Sequence, residues 1–238
     1  RGEDPGQEGD RQEGGGQARR GVTPAPVALT GVDAVKKAER VLAKADPVLA
    51  RLIKEAGPCS LGTPTAGSEF VTLVRAIVFQ QLAGRAASVI HGRFVAAIGG
   101  KVTPAAVLAT PFADLRGAGL SNAKALSIID LAEAQTDGRI KPRKLKSLSD
   151  DEIVAELVSV RGIGRWTAEM FLMFHLGRLD VWPTGDLGVR NGFAKAWGLP
   201  EAPTPKETEP MGDRFRPYRS VVAWYCWAAV EVTPPEGW

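Results

Sequence analysis

Cysteine and histidine are scarce in this sequence, which has two of each among 238 residues. Cys59 and Cys226 cannot supply the four thiolates of a structural zinc or iron–sulfur site, and His91 and His175 leave little room for a histidine-based one. We therefore expect no metal-dependent catalysis. The two cysteines could form a disulfide, but a pair in a chain of this size is more typical of reduced, packed thiols in the cytosol.

Long apolar runs are also missing. No segment approaches the roughly 20 consecutive apolar residues that cross a bilayer. The N-terminus is rich in Gly, Glu and Arg and does not resemble a secretory signal. Hydrophobic residues still make up 44% of the chain, which suffices for one substantial core or two smaller ones sharing a cleft. These features predict a soluble, intracellular protein with no membrane partner.

Aromatic and large aliphatic side chains are absent from residues 1–21, where seven glycines are mixed with charged residues. Such a segment cannot bury enough surface to offset its ordering entropy, so we predict a disordered tail over residues 1–30. The net charge of +3 permits an anionic partner without requiring one. The densest basic run, Arg139–Lys146, contains five cations and no acid; it is either a solvated loop or a phosphate contact.

Strand signals are weak, because alternating runs of β-branched residues are few. Helix starts and helical apolar spacing dominate from residue 31 onward. Asp46 and Ser121 are candidate N-caps, and Ser149-Asp-Asp-Glu152 fits a capping box that opens a helix at Asp150. We therefore predict an all-α domain over residues 31–238, with two helical subdomains flanking a cleft. Ser68 should open one long helix that reaches Phe94, whereas the proline-rich residues 200–210 should form a loop or a broken helix.

The segment Arg161-Gly-Ile-Gly164 interrupts a helical pattern that extends over about residues 150–176. Two glycines one residue apart permit positive φ and leave backbone amides uncovered. Gly164 stands at a helix start, where free N–H groups and the helix dipole favour an anion. Ile163 should insert into the core and hold the turn rigid. The segment is therefore either an ordinary helix–turn–helix corner or a hairpin that binds a phosphate without reading sequence.

The flanking residues resemble a known family. Its motifs appear in order, over about residues 70–229, as Phe79-Gln-Gln-Leu-Ala83, Val160-Arg-Gly-Ile-Gly-Arg-Trp-Thr-Ala168, Val181-Trp-Pro-Thr-Gly-Asp-Leu-Gly-Val-Arg190 and Arg216-Pro-Tyr-Arg-Ser220. Together they are similar to the helix-hairpin-helix DNA glycosylase superfamily, and within it to the 3-methyladenine (alkylpurine) DNA glycosylase II branch. The resemblance implies an enzyme of base excision repair that acts as a monomer on double-stranded DNA containing damaged bases. It would work in the cytoplasm or nucleoid, or in the nucleus of a eukaryote.

By the same resemblance, two regions would contact the DNA. Leu82, with Gln81 beside it, would be the wedge that enters the duplex; without the resemblance, the glutamines are equally compatible with a solvated helix face. The hairpin would bind the backbone through Arg161, Gly162, Ile163, Gly164 and Arg165. In the family, hairpin carbonyls bind a structural Na⁺ or K⁺, here those of Val158, Val160 and Ile163. No other cofactor is required.

Asp186 follows Pro183-Thr-Gly185 and precedes a helical segment, so it is a good N-cap. By resemblance it is also the catalytic carboxylate, and the two roles are compatible. Breaking an N-glycosidic bond builds positive charge on the sugar, which a nearby carboxylate stabilises while it orients or deprotonates water. N-alkylated purines such as 3-methyladenine and 7-methylguanine are already cationic and leave readily, so no general acid is needed.

Trp166 occupies the position at which bifunctional members of the superfamily carry a Schiff-base lysine. We therefore expect a monofunctional enzyme that leaves an abasic site and does not nick the strand. Trp166, Tyr218 and, more weakly, Trp182 are candidate walls of the pocket for a flipped base, since an aromatic face attracts a cationic purine. The rings of Trp166 and Tyr218 could instead be core residues.

The chain departs from the inducible bacterial enzyme, which has a small β-containing domain before its helical core. Here only the tail and one or two helices, within Val32–Ala56, precede that core. Two other functions stay open. The protein could remove a different damaged base, or it could be a non-catalytic duplex-binding module that retains the hairpin.

Overall fold

The structure is a computed structural model that describes residues 31–62, 67–141, 145 and 147–231. The predicted disordered tail lies outside these ranges, as do four of the eight residues of the basic run Arg139–Lys146. All regular elements within the described ranges are helical, which confirms the all-α prediction. None of these helices has the length and apolar character needed to span a bilayer.

The α-helices are numbered here in chain order. They are α1 (Val32–Ala45), α2 (Pro47–Ala56), α3 (Glu69–Phe79), α4 (Gly84–Ala97), α5 (Pro104–Ala109), α6 (Phe112–Gly117), α7 (Asn122–Thr136), α8 (Asp150–Val158), α9 (Arg165–Met170), α10 (Leu187–Trp197), α11 (Pro205–Met211) and α12 (Arg219–Ala229). A π-helical turn, Phe171–His175, continues α9, and a short 3₁₀ turn, Asp213–Phe215, lies between α11 and α12.

Several helices begin at the capping residues that the sequence predicts. The side chains of Asp46 and Ser121 accept first-turn N–H groups of α2 and α7. Ser149 and Glu152 form the predicted capping box at the start of α8, each side chain bonding the other residue's backbone. These local hydrogen bonds satisfy donors that no intrahelical carbonyl can reach, so they set where each helix starts.

The predicted long helix from Ser68 to Phe94 is wrong. The chain forms α3 and α4 instead, separated by a turn at Gln80–Ala83 in which Gln81 has φ of 56°. The apolar pattern does not reveal this break, because buried residues continue on both sides of it. As a consequence, Gln81 and Leu82 lie on an exposed turn and not on a helix face.

The prediction of a loop or broken helix over residues 200–210 also needs correction. Thr204 and Glu207 form a second capping box, and Pro205 occupies the first turn of a regular helix, α11. Proline lacks only an N–H that would have no partner in the first turn. The capping box of Thr204 and Glu207 is therefore the same sequence pattern as that of Ser149 and Glu152, but the surrounding prolines obscured it.

Two groups of helices pack mainly within themselves. Helices α3, α4, α5, α6 and α7 form one group, and α1, α2, α10 and α12 form the other, while α8 packs on α9. This grouping is compatible with two subdomains flanking a cleft, which stays a prediction. Helices α10 and α12 approach closely because Gly192 has no side chain; a Cβ there would meet the backbone of Cys226. Cys226 and Cys59 are buried free thiols, as expected.

Candidate active site

The carboxylate of Asp186 receives three hydrogen bonds from three parts of the fold. As N-cap of α10 it accepts the backbone N–H of Val189 on Oδ1, at 2.9 Å. The indole Nε1 of Trp227, on α12, donates to the same oxygen at 3.0 Å. The indole Nε1 of Trp166, on α9, donates to Oδ2 at 2.7 Å. The predicted N-cap is confirmed, and Asp186 is only 9% exposed.

Trp227 was not predicted as a site residue. It lies among several aromatic residues of α12, and no local pattern distinguishes it from its neighbours. Its approach to the carboxylate depends on Gly188, since a Cβ there would come within 2.9 Å of the Trp227 ring and 3.1 Å of Asp186 Oδ1. The glycine two residues after the aspartate therefore leaves space for the second indole donor.

Trp166 is the exposed member of this cluster, with 37% of its surface accessible. Its N–H is directed at Asp186 while part of its ring faces solvent. This placement brings together the candidate catalytic carboxylate and one candidate pocket wall. It is the arrangement expected of a base pocket beside the catalyst, although the pocket role of Trp166 stays a prediction.

The other two aromatic candidates, Trp182 and Tyr218, are buried. Trp182 is 5% exposed; its indole N–H donates to the carbonyl of Thr208 at 2.9 Å, and its ring packs edge-on against Phe193. Tyr218 is 7% exposed at the start of α12. Trp182 borders a cleft of about 740 Å³, which neither Asp186 nor Trp166 lines. These contacts favour the packing interpretation for Trp182, whereas the pocket role of Tyr218 stays a prediction.

The segment before Asp186 is anchored to the first turn of α12. Ser220 Oγ donates to the carbonyl of Arg178 at 2.7 Å and accepts the N–H of Val181 at 2.9 Å. The buried guanidinium of Arg219 donates through Nε to Asp180 Oδ1 at 2.8 Å. The Arg216–Ser220 motif therefore holds the loop that leads to the carboxylate, on the same helix that supplies Trp227.

The two glycines of the hairpin have different structural roles. Gly162 uses positive φ, 76°, and a Cβ there would collide with Ser127 Oγ. Gly164 has φ of −89° and is the N-cap of α9, so the freedom to adopt positive φ is used only at the first glycine. A Cβ at Gly164 would meet nothing within 4 Å. Ile163 is buried, as predicted.

The charged hairpin residues have structural partners as well as exposed surface. Arg161 donates its backbone N–H to Asp130 Oδ2 at 2.7 Å, which leaves its exposed side chain directed outward. Arg165 pairs with Glu169 through Nε at 2.9 Å, and 69% of its side chain is exposed. Val158 is exposed at the C-terminus of α8, and Val160 is buried. The exposed guanidinium groups can reach a phosphate.

Glu169 is a buried carboxyl that the sequence did not single out. Desolvation raises its pKa to about 7, partly opposed by the charge and hydrogen bond of Arg165, while Glu209 and Asp186 raise it further. The group therefore lies one helical turn beyond Trp166 with a pKa close to neutral. Among the described residues, no three His, Cys, Asp or Glu side chains are grouped so that they could share a metal ion.

Comparison with known proteins decides the family. The profile of the HhH-GPD superfamily base excision DNA repair proteins matches residues 74–217. The chain belongs to this family. It is 35% identical over 200 residues to DNA-3-methyladenine glycosylase 1 of Schizosaccharomyces pombe, covering 82% of this chain and 88% of that protein. It is 31% identical to the alkylbase DNA glycosidase-like protein mag2 of the same organism, covering 81% and 92%.

Solved HhH-GPD structures agree with the observed fold. The S. pombe 3-methyladenine DNA glycosylase Mag1, in complex with abasic DNA, superposes with a TM-score of 0.70 at 34% identity and covers 83% of this chain and 98% of that one. A DNA-3-methyladenine glycosidase from Bacillus halodurans gives a TM-score of 0.73 at 35% identity, covering 81% and 88%. The predicted resemblance and fold class are thus confirmed.

We expect Trp227→Phe to destabilise this HhH-GPD chain, because it removes one of two donors to a buried carboxylate oxygen. A hydrogen bond to a charged group contributes about 1.5–3 kcal/mol, so the free energy of unfolding in urea should fall by about 2–3 kcal/mol. Trp224→Phe is the matched control. Trp224 lies one turn before Trp227 on α12, and its indole N–H donates to the hydroxyl of the exposed Ser60. Equal losses in the two variants would contradict a special role for the Trp227 donor.

The stability of the protein should also depend on the protonation of Glu169. Its folded pKa of about 7 exceeds the ordinary value of 4.5, so its contribution is fully present below pH 4.5 and is lost as pH rises through 7. The unfolding free energy of the wild type, relative to Glu169→Gln, should therefore decline across this interval.

Glu152→Gln provides a control, because the pKa of Glu152 is shifted in the opposite direction to that of Glu169. Hydrogen bonds from Ser149 lower the pKa of Glu152, so its contribution is lost as pH falls and not as pH rises. If the unfolding free energies of the wild type and Glu169→Gln change with pH in parallel, the pKa of Glu169 is the same in the folded and unfolded states, and the prediction is wrong.

Proposed function

We propose that this protein is a monofunctional DNA glycosylase of base excision repair, which hydrolyses the N-glycosidic bond of alkylated purines. The observation that carries the proposal is a buried carboxylate, Asp186, held by three N–H donors beside a partly exposed tryptophan. The relatives named as 3-methyladenine DNA glycosylases support the same conclusion. The enzyme would act as a monomer on double-stranded DNA. It would work where that DNA lies, in the cytoplasm or nucleoid of a bacterium or in the nucleus of a eukaryote.

The hydrogen bonds leave one acceptor position on the carboxylate available for the reaction. A carboxylate has about four lone-pair sites, two on each oxygen. Val189 and Trp227 occupy both sites on Oδ1, whereas Trp166 occupies one on Oδ2. The remaining site on Oδ2 lies on the oxygen that faces the exposed tryptophan. It can accept a proton from a water molecule or face the positive charge that develops on the sugar.

In the reaction, the bond between C1′ and the purine nitrogen breaks, and its electron pair leaves with the base. For a purine alkylated at N3 or N7, these electrons neutralise the charge already on the ring, so the base needs no proton to depart. The negative carboxylate of Asp186 stabilises the resulting oxocarbenium ion. Water then forms the new bond at C1′, and Oδ2 takes its proton. The product is an abasic site.

The absence of a lysine at position 166 accounts for the monofunctional assignment. A Schiff base requires an amine within reach of C1′, but Trp166 contributes only an indole N–H, which already bonds to Asp186. Its partly exposed ring can stack on a flipped base, and an electron-rich face favours a cationic purine by about 0.5–2 kcal/mol. The same residue would therefore set both the reaction type and the substrate preference.

DNA would bind through the hairpin and the turn at Gln80–Ala83. The backbone N–H groups of Gly164, Arg165 and Trp166 make no hydrogen bond within the described part of the chain, so they can receive a phosphate at the start of α9. Leu82 is 38% exposed and would fill the space left by the flipped base. Gln81 is exposed beside it.

A structural Na⁺ or K⁺ would be held at the hairpin by the carbonyls of Val158, Val160 and Ile163. The donors fit such an ion, because carbonyl oxygens are hard ligands and Val158 ends α8, where carbonyls lack intrahelical partners. The carbonyl of Val160 accepts the N–H of Ile163 at 3.1 Å and retains a second lone pair. The bound cation would supply positive charge next to the DNA phosphate.

Asp186→Asn separates the two roles of the aspartate. Asparagine keeps one oxygen for the N-cap and Trp227 donors, so the variant should still fold and bind DNA. Its Nδ2 cannot accept the Trp166 N–H, so some stability should be lost. It cannot stabilise the cationic sugar as a charge, so we expect release of 3-methyladenine from methylated DNA to fall by at least about 100-fold, a loss of about 3 kcal/mol in transition-state stabilisation. Near-wild-type release by Asp186→Asn would refute the catalytic assignment.

A separate assay tests the substrate class. Excision by the wild type from oligonucleotides that each contain one oxidised or deaminated base would reveal a different substrate.

Borohydride trapping tests the reaction type. With Trp166 in place of a lysine, borohydride should give no covalent adduct between protein and lesion-containing DNA, and the DNA product should carry an intact strand with an abasic site. A bifunctional glycosylase run in parallel provides the positive control. A strong adduct with this protein would show that another amine performs lyase chemistry.

A further inference from the structure

The turn Gln80–Ala83, called here the wedge turn, has an unfavourable backbone conformation. Gln81 adopts φ of 56°, which residues with a side chain rarely do. Such a conformation persists when surrounding contacts hold it in place. Leu82 projects from this turn to solvent. The contacts that hold the wedge turn therefore determine where the leucine lies before DNA binds.

Lys124 on α7 provides the first of these contacts. Its ammonium donates to the carbonyl of Val78 at 2.6 Å and to that of Gln80 at 2.7 Å. These are short, charge-assisted bonds to the last turn of α3 and to its C-cap. Partial burial of the ammonium lowers the pKa of Lys124. The lysine thus serves as a fixed cross-link between α7 and the start of the wedge turn.

Gln80 provides the second contact and connects the wedge turn to the hairpin. Its side-chain Nε2 donates to the carbonyl of Gly162 at 3.1 Å and to the hydroxyl of Thr167 at 3.4 Å. Gly162 belongs to the hairpin turn, and Thr167 lies in the first turn of α9. The side-chain amide of Gln80 therefore joins the wedge turn to the hairpin, which would bind the DNA backbone.

A single face of α7 supports both elements. Lys124, Ser127 and Asp130 are spaced three residues apart, so they lie along one side of the helix. Lys124 bonds the wedge turn, Ser127 lies where a side chain at Gly162 would be, and Asp130 accepts the N–H of Arg161. The wedge and the hairpin are consequently fixed to the same rigid helix, and they are also bonded directly to each other.

We propose that Lys124 and Gln80 are positioning residues that hold Leu82 at a set place relative to the hairpin, so that backbone binding and wedge insertion occur together. The inference rests on the proposed function, because it concerns how the target base is extruded. Neither side chain acts on the glycosidic bond. Their contribution lies in the unstacking step, whose cost depends on how firmly the base is held in the duplex.

Lys124→Met tests this inference, since it keeps much of the side-chain length and removes all three donors. Excision of an alkylated purine from a fully paired duplex should fall about tenfold. Excision of the same lesion from a single-nucleotide bulge should change less than about twofold, because extrusion there needs little help. Lys37→Met, at an exposed position on α1, is the matched control for loss of one positive charge and should leave both rates unchanged.

A second variant and a second readout guard against a folding defect and against failure of the proposed function. Gln80→Met should reproduce the duplex-selective loss. Binding to DNA with an abasic-site analogue opposite 2-aminopurine should raise the 2-aminopurine fluorescence when Leu82 enters the stack. This increase requires no excision, so it remains informative if the wild type proves inactive on alkylated bases. Both variants should show a smaller or slower increase at saturating protein.

Selective loss on the paired duplex, together with reduced 2-aminopurine fluorescence, would support the inference. Equal losses on duplex and bulge would overturn it, because they would indicate a general effect on folding or chemistry. No loss on either substrate, or an unchanged fluorescence increase in both variants, would overturn it as well.

Discussion

The binding of the Asp186 carboxylate by neutral N–H donors is the interaction on which the rest of the site depends. A carboxylate that is 9% exposed must recover in hydrogen bonds what it loses in hydration. Within the part of the chain that the structure describes, it does so through the start of α10 and two indoles, with no ion pair to a lysine or arginine. A neighbouring lysine or arginine would neutralise the charge that the reaction uses, whereas indole and amide donors orient it and leave it negative.

Bringing those donors together constrains three helices. Trp227 reaches the carboxylate only because Gly188 leaves room, and α12 lies close to α10 because Gly192 has no side chain. The first turn of α12 also holds the loop before Asp186 through Ser220 and Arg219. Helix α12 thus makes two sets of contacts with this segment. Trp227 donates to the Asp186 carboxylate, and Ser220 and Arg219 hold the loop that precedes it. Two of the three donors to Asp186 therefore come from the second helical group, and α9 supplies the third.

The proposed DNA contacts also depend on geometry that neighbouring helices set. The N–H groups at the start of α9 and the exposed Leu82 are features of backbone geometry and shape, not of sequence-reading side chains. Both are supported by α7, through Lys124 and Asp130. Such an arrangement suits an enzyme that must bind any sequence and act where a base is easily extruded.

Much of this was visible in the sequence. Local capping chemistry located the starts of α2, α7, α8 and α10, and the order of motifs identified the family, the hairpin and Asp186. These features are local because a cap or a glycine turn is decided by residues within a few positions of one another. The break at Gln80–Ala83 was missed because apolar periodicity continues across it, and α11 was missed because prolines obscured its capping box.

What the sequence determined by itself was therefore the helical fold class, the hairpin turn and the N-cap aspartate that we propose as the catalytic carboxylate. Only the tertiary structure decided which groups surround that carboxylate and which hold the wedge. Trp227 lies 41 residues from Asp186 in the chain, and Gln80 lies 82 residues from Gly162. Contacts at such separations arise from how helices pack, through close approaches at Gly188 and Gly192 and through the partly buried Lys124, and no local pattern encodes them.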